Sequence, residues 1–180
     1  MYICCRNRFL PSLTYLHSRA TPRTSSKRNT MAHIMLYYHI VWRTKRSQRT
    51  ISQDHERQLY AYIFGFCDRK GCKLIRVGGM PDHIHMLVAI RPDIAVSDFM
   101  RILKSETSKW LNSQPALFPH FDGWGNGYAA FTYSESQKEV VRRYIINQKS
   151  HHSTYSFREE YEAMLREWGL DPKQDALLED

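Results

Sequence analysis

Three observations predict that this chain folds as an α+β domain. Short runs dense in β-branched and aromatic residues alternate with segments whose apolar residues recur at helical spacing. Within residues 83–90 an apolar row, Ile84, Met86, Val88 and Ile90, occupies every second position, as one face of a sheet requires. The 180 residues are enough to bury a core without disulfide staples or a structural metal.

The elements follow in order. Residues 34–42 (Ile-Met-Leu-Tyr-Tyr-His-Ile-Val-Trp) read as a buried strand, and a basic loop with Arg43, Lys45, Arg46 and Arg49 comes after it. Ser52 is the expected N-cap of a first helix, Leu59, Ile63 and Phe66 are its apolar stripe, and Gly71 stands where a glycine ends a helix. A second strand spans residues 73–77, and a turn at 78–82 leads into a third at 83–90. Ser97 is placed to cap a second helix to about residue 112, with Phe99, Leu103 and Trp110 inward and Arg101, Lys104 and Lys109 toward solvent. A loop rich in Gly, Pro and Trp separates it from a fourth strand at 128–133. Two capping-box sequences, Ser136 to Glu139 and Ser156 to Glu159, open a third helix through about 150 and a fourth whose stripe is Phe157, Tyr161, Leu165 and Trp168, closed by Gly169. This order, β-α-β-β-α-β-α-α, is that of a split β-α-β, ferredoxin-like antiparallel sheet with helices packed on one face and an added C-terminal helix pair.

Residues 31–170 form the expected folded domain. Residues 1–30 carry six basic residues and no acid, without a usable hydrophobic period, and are read as a disordered leader, a transit-like segment or an over-long gene start. Residues 171–180 are an acidic tail. No apolar run approaches the ~18 residues of a membrane span, and the mean hydropathy is -0.56. Four cysteines, Cys4, Cys5, Cys67 and Cys72, lack the spacing of a disulfide framework or a zinc site, which favours buried thiols and a reducing, cytoplasmic setting. The formal charge is +8. Residues 31–158 alone carry +8, because the +6 of the first thirty residues is offset by -6 from residue 159 onward. A polyanionic partner, most simply nucleic acid, fits that excess.

His83 and His85 lie two apart on a strand, so both imidazoles leave the same face about 6 to 7 Å apart, a spacing that two ligands of one metal can use. A bare His-x-His is more often a pair of half-exposed strand histidines. Tyr144 and Gln148 are four apart on the third helix and share a face. Alone, such a tyrosine is usually a core residue with its hydroxyl at the rim. Arg142, Arg143 and Lys149 form a solvated face or a phosphate cradle, and His151 and His152 are spare ligands or surface residues.

Four blocks stand in one order: Tyr38-His39-Ile40-Val41-Trp42-Arg43-Thr44-Lys45; Gly79-Met80-Pro81-Asp82-His83-Ile84-His85-Met86-Leu87-Val88; Trp124-Gly125-Asn126-Gly127-Tyr128; and Val141-Arg142-Arg143-Tyr144-Ile145-Ile146-Asn147-Gln148. Over residues 36–170 the chain resembles the single-tyrosine HUH transposases, small prokaryotic insertion-sequence enzymes with palindrome-associated relatives. By position, the resemblance implies that His83 and His85 are metal ligands, Gln148 the third ligand and Tyr144 the nucleophile. It also implies Mg²⁺ or Mn²⁺ as cofactor, a 5′-phosphotyrosine intermediate, and single-stranded DNA with imperfect palindromes or hairpins as substrate. A His-His-Gln set leaves positions for water and a phosphate, and suits Mn²⁺ at least as well as Mg²⁺. Arg43, Lys45, Arg46, Lys104, Arg142 and Arg143 are the expected DNA contacts. Both homodimers and monomers occur in the family. Two other readings are a domesticated hairpin-binding protein with little catalysis and a metal-dependent phosphodiesterase using water. The first does not account for four intact site residues, nor the second for the Tyr-x-x-x-Gln spacing.

Overall fold

The computed structural model describes residues 34–174. Its elements are β1 (Tyr37–Arg43), α1 (Glu56–Arg69), β2 (Lys73–Met80), β3 (His83–Ala89), α2 (Val96–Asn112), β4 (Ala129–Tyr133), α3 (Lys138–Ile146), α4 (Gln148–His151) and α5 (Phe157–Glu167). The sheet order is β2-β3-β1-β4 with every neighbouring pair antiparallel, so β1 and β2 run parallel with β3 between them. That is the split β-α-β arrangement expected. The leader at residues 1–30, with Cys4 and Cys5, and residues 175–180 of the acidic tail lie outside the described residues.

Strand alternation divides the core in two. Ile40, Trp42, Ile84, Met86 and Val88 point to one face and pack with Leu59, Ile63 and Phe66 of α1 and Phe99, Met100 and Leu103 of α2. On the other face, Val41, Ala129 and Phe131 meet Tyr161, Met164 and Leu165 of α5, while Tyr37 and Leu87 meet Val141 and Ile145 of α3. The added C-terminal helices thus form a second layer across the sheet from α1 and α2. This layer overturns the picture of half-exposed strand histidines: His83 and His85 are 0% exposed.

Helix ends show which local signals prevailed. Gly71, at φ +63, closes α1 in a Schellman motif: the Cys72 N–H donates to the Cys67 carbonyl at 2.9 Å and the Gly71 N–H to that of Asp68 at 2.9 Å. The capping box at Ser156 and Glu159 opens α5 as expected. The box at Ser136 does not form, because Gln137 Oε1 accepts from the Ser134 N–H at 3.1 Å and Glu139 turns to Arg142. α1 begins at Glu56 and not after Ser52, whose carbonyl closes a turn with the His55 N–H at 3.2 Å. α2 starts two residues early, with Ala95 and not Ser97 as N-cap. β2 continues through Met80, which pairs with His83, so only Pro81 and Asp82 make the turn. Cys67 and Cys72 are buried thiols, and burial pushes Cys67 up to about 12. No helix among the described residues is long and apolar enough to cross a membrane.

Gly78 sets how closely α3 approaches the sheet. A Cβ there would stand 3.0 Å from the Ile145 carbonyl oxygen and 3.1 Å from its Cγ2. Gly78→Val therefore forces α3 off the edge strand and is expected to cost ~1–3 kcal/mol, as overpacking does, read by urea denaturation. Unchanged stability would show that α3 is not seated on Gly78.

Candidate active site

β1 and β3 bring three histidines to one face. His85 stands opposite Val41 and His83 opposite Arg43, and His39 projects beside them from β1. The Nδ1 of His83 lies 2.7 Å from the Asp82 carboxylate, which can only accept when ionised, so this nitrogen carries the hydrogen and Nε2 keeps its lone pair. The Nδ1 of His85 lies 3.0 Å from the Nε2 of His39. Burial lowers His39 to about 3 and His83 to about 4, so both rings are neutral at neutral pH, the state a metal ligand needs. Burial raises the Asp82 carboxyl, but its bond to His83 outweighs this and the net shift is downward. Among the described residues, the Nε2 atoms of His83 and His85 and the Oε1 of Gln148 are buried without a hydrogen-bond partner. They are the three donor positions expected from the sequence, and a divalent cation is a chemically suited partner for such a set.

Tyr144 and Gln148 do not share one uninterrupted helix. Asn147, at φ -90 and ψ 9, separates α3 from α4, and its N–H is shared between the Arg143 and Tyr144 carbonyls at 3.1 and 3.2 Å. The helical course resumes at once, since the His151 N–H reaches the Asn147 carbonyl at 2.9 Å, and both side chains still face the sheet. The Tyr144 ring centre lies 5.9 Å from that of His85 and 6.0 Å from that of His39.

Both side chains converge on a residue the sequence reasoning missed. Glu160 of α5 is 4% exposed, and its Oε1 accepts from the Tyr144 hydroxyl and from Gln148 Nε2, the latter at 2.7 Å. Its Oε2 lies 2.8 Å from His152 Nε2, 3.5 Å from His85 Nε2 and 3.7 Å from His83 Nε2. Burial opposes the charged carboxylate, but His152, His85 and the Tyr144 hydroxyl outweigh it and hold Glu160 far below the usual carboxylate range. The Tyr144 phenol moves the other way, raised by burial and by the Glu160 charge. Burial lowers His152, and the Glu160 carboxylate raises it by more. A signal for Glu160 existed: it lies three residues after Phe157 and four before Met164, inside the apolar stripe of α5. His39 was equally legible, as the one imidazole on the inward row Tyr37, His39, Val41.

The expected DNA contacts scatter. Arg43 is 4% exposed and its Nη1 donates to Ser47 Oγ at 2.9 Å, so a surface contact from it is corrected to a buried role in the loop. Lys104 is half-buried, and its Nζ donates to the carbonyls of Gly125 and Gly127 at 2.7 and 2.8 Å, fixing the loop before β4. Lys45 pairs with Asp122 at 2.8 Å and Arg142 with Glu139 at 2.7 Å, while Arg46 and Arg143 are exposed. A groove along β2, α1 and α4, lined by Arg57, Tyr60, Phe64, Arg76, Gln148 and Lys149, was not anticipated.

Residues 32–148 match the family described as "Transposase IS200 like". The chain is 26% identical over 117 residues to the ISDra2 transposase TnpA of Deinococcus radiodurans, covering 63% of this chain and 84% of that protein. It is 28% identical over 115 residues to the transposase for insertion sequence element IS200 of Salmonella typhimurium, covering 62% and 75%. In three dimensions it is similar to a crystal structure of a candidate transposase from D. radiodurans, with a TM-score of 0.53, 27% identity, and 68% and 97% of the two chains covered. It also shares its fold with a REP-associated tyrosine transposase bound to a REP hairpin, with a TM-score of 0.51, 13% identity, and 72% and 74% covered.

The Asp82–His83 bond is expected to matter for cation binding, since a carboxylate behind a ligating imidazole fixes its tautomer. Asp82→Ala should weaken Mn²⁺ affinity by ~10–100-fold, measured by electron paramagnetic resonance of free Mn²⁺. Affinity equal to wild type would count against His83 Nε2 as a ligand.

Proposed function

The chain belongs to the IS200-like transposase family, and from that premise we propose that it cleaves and rejoins hairpin-forming single-stranded DNA through Tyr144, with Mg²⁺ or Mn²⁺ held by His83, His85 and Gln148. The observation that carries this reading is the convergence, within one chain, of the Tyr144 hydroxyl and Gln148 on a carboxylate that also lies within 3.7 Å of both histidine Nε2 atoms. A phosphodiester of similar size entering there would meet the nucleophile and the cation donors together.

When bound, the divalent ion supplies Lewis-acid polarisation of the phosphate and charge neutralisation. The chain's own residues do the rest. His83, neutral and oriented by Asp82, and His85, oriented by His39, hold two fixed donor positions. α3, seated on Gly78, directs Tyr144 at the same point, and the bond to Glu160 fixes the direction of its hydroxyl. The raised phenol stays protonated until attack, so the reaction depends on placement beside an activated phosphate. Attack forms the Tyr144 Oη–P bond and breaks the P–O3′ bond, giving a 5′-phosphotyrosine and a free 3′-hydroxyl. The number of phosphodiester bonds is unchanged, so attack by another 3′-hydroxyl reverses the step without ATP.

The groove of Arg57, Tyr60, Phe64, Arg76 and Lys149 runs beside Gln148, and Phe64 is 59% exposed. Cations beside the exposed ring of Phe64 and the half-buried ring of Tyr60 suit a single strand, whose phosphates and unpaired bases they can bind. Lys45, Arg46, Arg142 and Arg143 are proposed as further backbone contacts. The hairpin-bound tyrosine transposase of shared fold supports a hairpin as the partner here.

Labelled single-stranded DNA from the gene's own flanks, incubated with the protein and Mn²⁺, is expected to give a denaturation-resistant adduct that Tyr144→Phe reduces to background. Strand cleavage that persists in Tyr144→Phe without an adduct would instead indicate hydrolysis by water. Tight hairpin binding by an inactive wild type would indicate a binding protein.

A further inference from the structure

Glu160 stands out from the other acids of α5. Glu159, Glu162 and Glu167 serve a helix cap or the surface, whereas Glu160 enters the stripe that α5 buries. A carboxylate at such a position costs several kcal/mol unless it is well partnered. No lysine or arginine pairs with it among the described residues; its nearest partners are the Tyr144 hydroxyl, the Gln148 amide and the imidazole of His152, with the imidazoles of His85, His83 and His151 at 3.5, 3.7 and 3.9 Å.

The four donor atoms of His83, His85, His152 and Glu160 lie within 4.8 Å of one another. Two donors bound to one ion at ~2.1 Å lie roughly 3 Å apart at right angles and about 3.4 Å apart in a tetrahedron. The separations of Glu160 Oε2 from His85 Nε2 and His83 Nε2, 3.5 and 3.7 Å, approach that ligand-to-ligand spacing and are long for hydrogen bonds. His152 differs. Its Nδ1 lies 2.8 Å from the Tyr155 carbonyl and so carries a hydrogen, and its Nε2 faces the Glu160 carboxylate at 2.8 Å, so it donates at both nitrogens and orients Glu160. A His-His-Gln set is also poor in oxygen and uncharged for a hard divalent cation, and one carboxylate supplies both a second protein oxygen and a negative charge.

We propose that Glu160 is a fourth protein ligand of the divalent ion, binding through Oε2, while Oε1 stays on the Tyr144 hydroxyl. The C-terminal helix is then part of the metal centre, and one carboxylate ties the nucleophile to the ion. A cavity lined by His39, Tyr133, Tyr144, His151, Tyr155 and Glu160 leads to this carboxylate from the side of the phenol. The inference rests on the reading of His83, His85 and Gln148 as cation ligands.

The test is Mn²⁺ affinity by electron paramagnetic resonance, together with the Mn²⁺-induced rise in melting temperature, in the absence of DNA. It uses the full chain as wild type, Glu160→Gln, Glu160→Asp and Glu167→Gln, the last removing a charge from the rim of the same cavity. Glu160→Gln is expected to weaken Mn²⁺ binding at least ~10-fold and to lose most of the melting shift, Glu160→Asp to weaken it less, and Glu167→Gln to match wild type. Comparison of melting temperatures without Mn²⁺ separates ligand loss from misfolding, and if Glu160→Gln does not fold, Glu160→Asp carries the test. Wild-type affinity in both Glu160 variants overturns the proposal; if adduct formation also rises, Glu160 is a stand-in for the phosphate that must leave before DNA enters. A wild type that binds no Mn²⁺, or binding untouched by His83→Ala, overturns the underlying cation reading and the proposal with it.

Discussion

Two imidazoles on one buried strand face, His83 and His85, bring Nε2 atoms with no hydrogen-bond partner toward one carboxylate, Glu160, and the Gln148 carbonyl oxygen is a third buried atom without a partner. Leaving a buried polar atom unpaired costs ~1–3 kcal/mol. A fold that buries three such atoms bears a penalty comparable to a large fraction of a domain's net stability. Packing elsewhere has to offset it. The continuous core under α1 and α2 does so on one face, and Tyr161, Met164 and Leu165 of α5, with Val141 and Ile145 of α3, do so around the site itself.

The architecture also makes the point rigid. β3 is flanked on both sides by hydrogen-bonded strands, so the spacing of His83 and His85 is set by the sheet and not by a loop. Asp82 and His39 fix the rings from behind. α3 reaches the same point because Gly78 lets it lie against the edge strand, and α5 reaches it because its apolar stripe docks on Val41 and Phe131. Strand, helix and C-terminal helix are three independent arrivals, and Glu160, on the last, touches side chains from the other two.

Much of this was legible from residue order. Alternation in the third strand put both histidines on one face, and the four-residue step from Tyr144 to Gln148 put phenol and amide on another. The added helices were visible, but not the sheet face they cover, because an apolar stripe records that a helix buries a side and not which one. Glu160 was passed over as one of eight acids after residue 158, although its place within the stripe of Phe157, Tyr161 and Met164 marked it as inward. Arg43 misled for the opposite reason: a basic residue near a strand end reads as a surface charge, whereas tertiary contacts turn Arg43 inward, and they clamp Lys104 onto two carbonyls. The failed box at Ser136 was lost to a competing local bond from Gln137, which no spacing rule anticipates.

The central claim is that one chain assembles cation donors and nucleophile at a single point. Anomalous diffraction from crystals grown with Mn²⁺ tests it most directly. The account predicts one strong peak bonded to His83 Nε2 and His85 Nε2, in contact with Gln148 Oε1, and beside the Tyr144 hydroxyl of the same chain. A peak away from both histidines, or a Tyr144 that approaches the ion only from another copy, would contradict it.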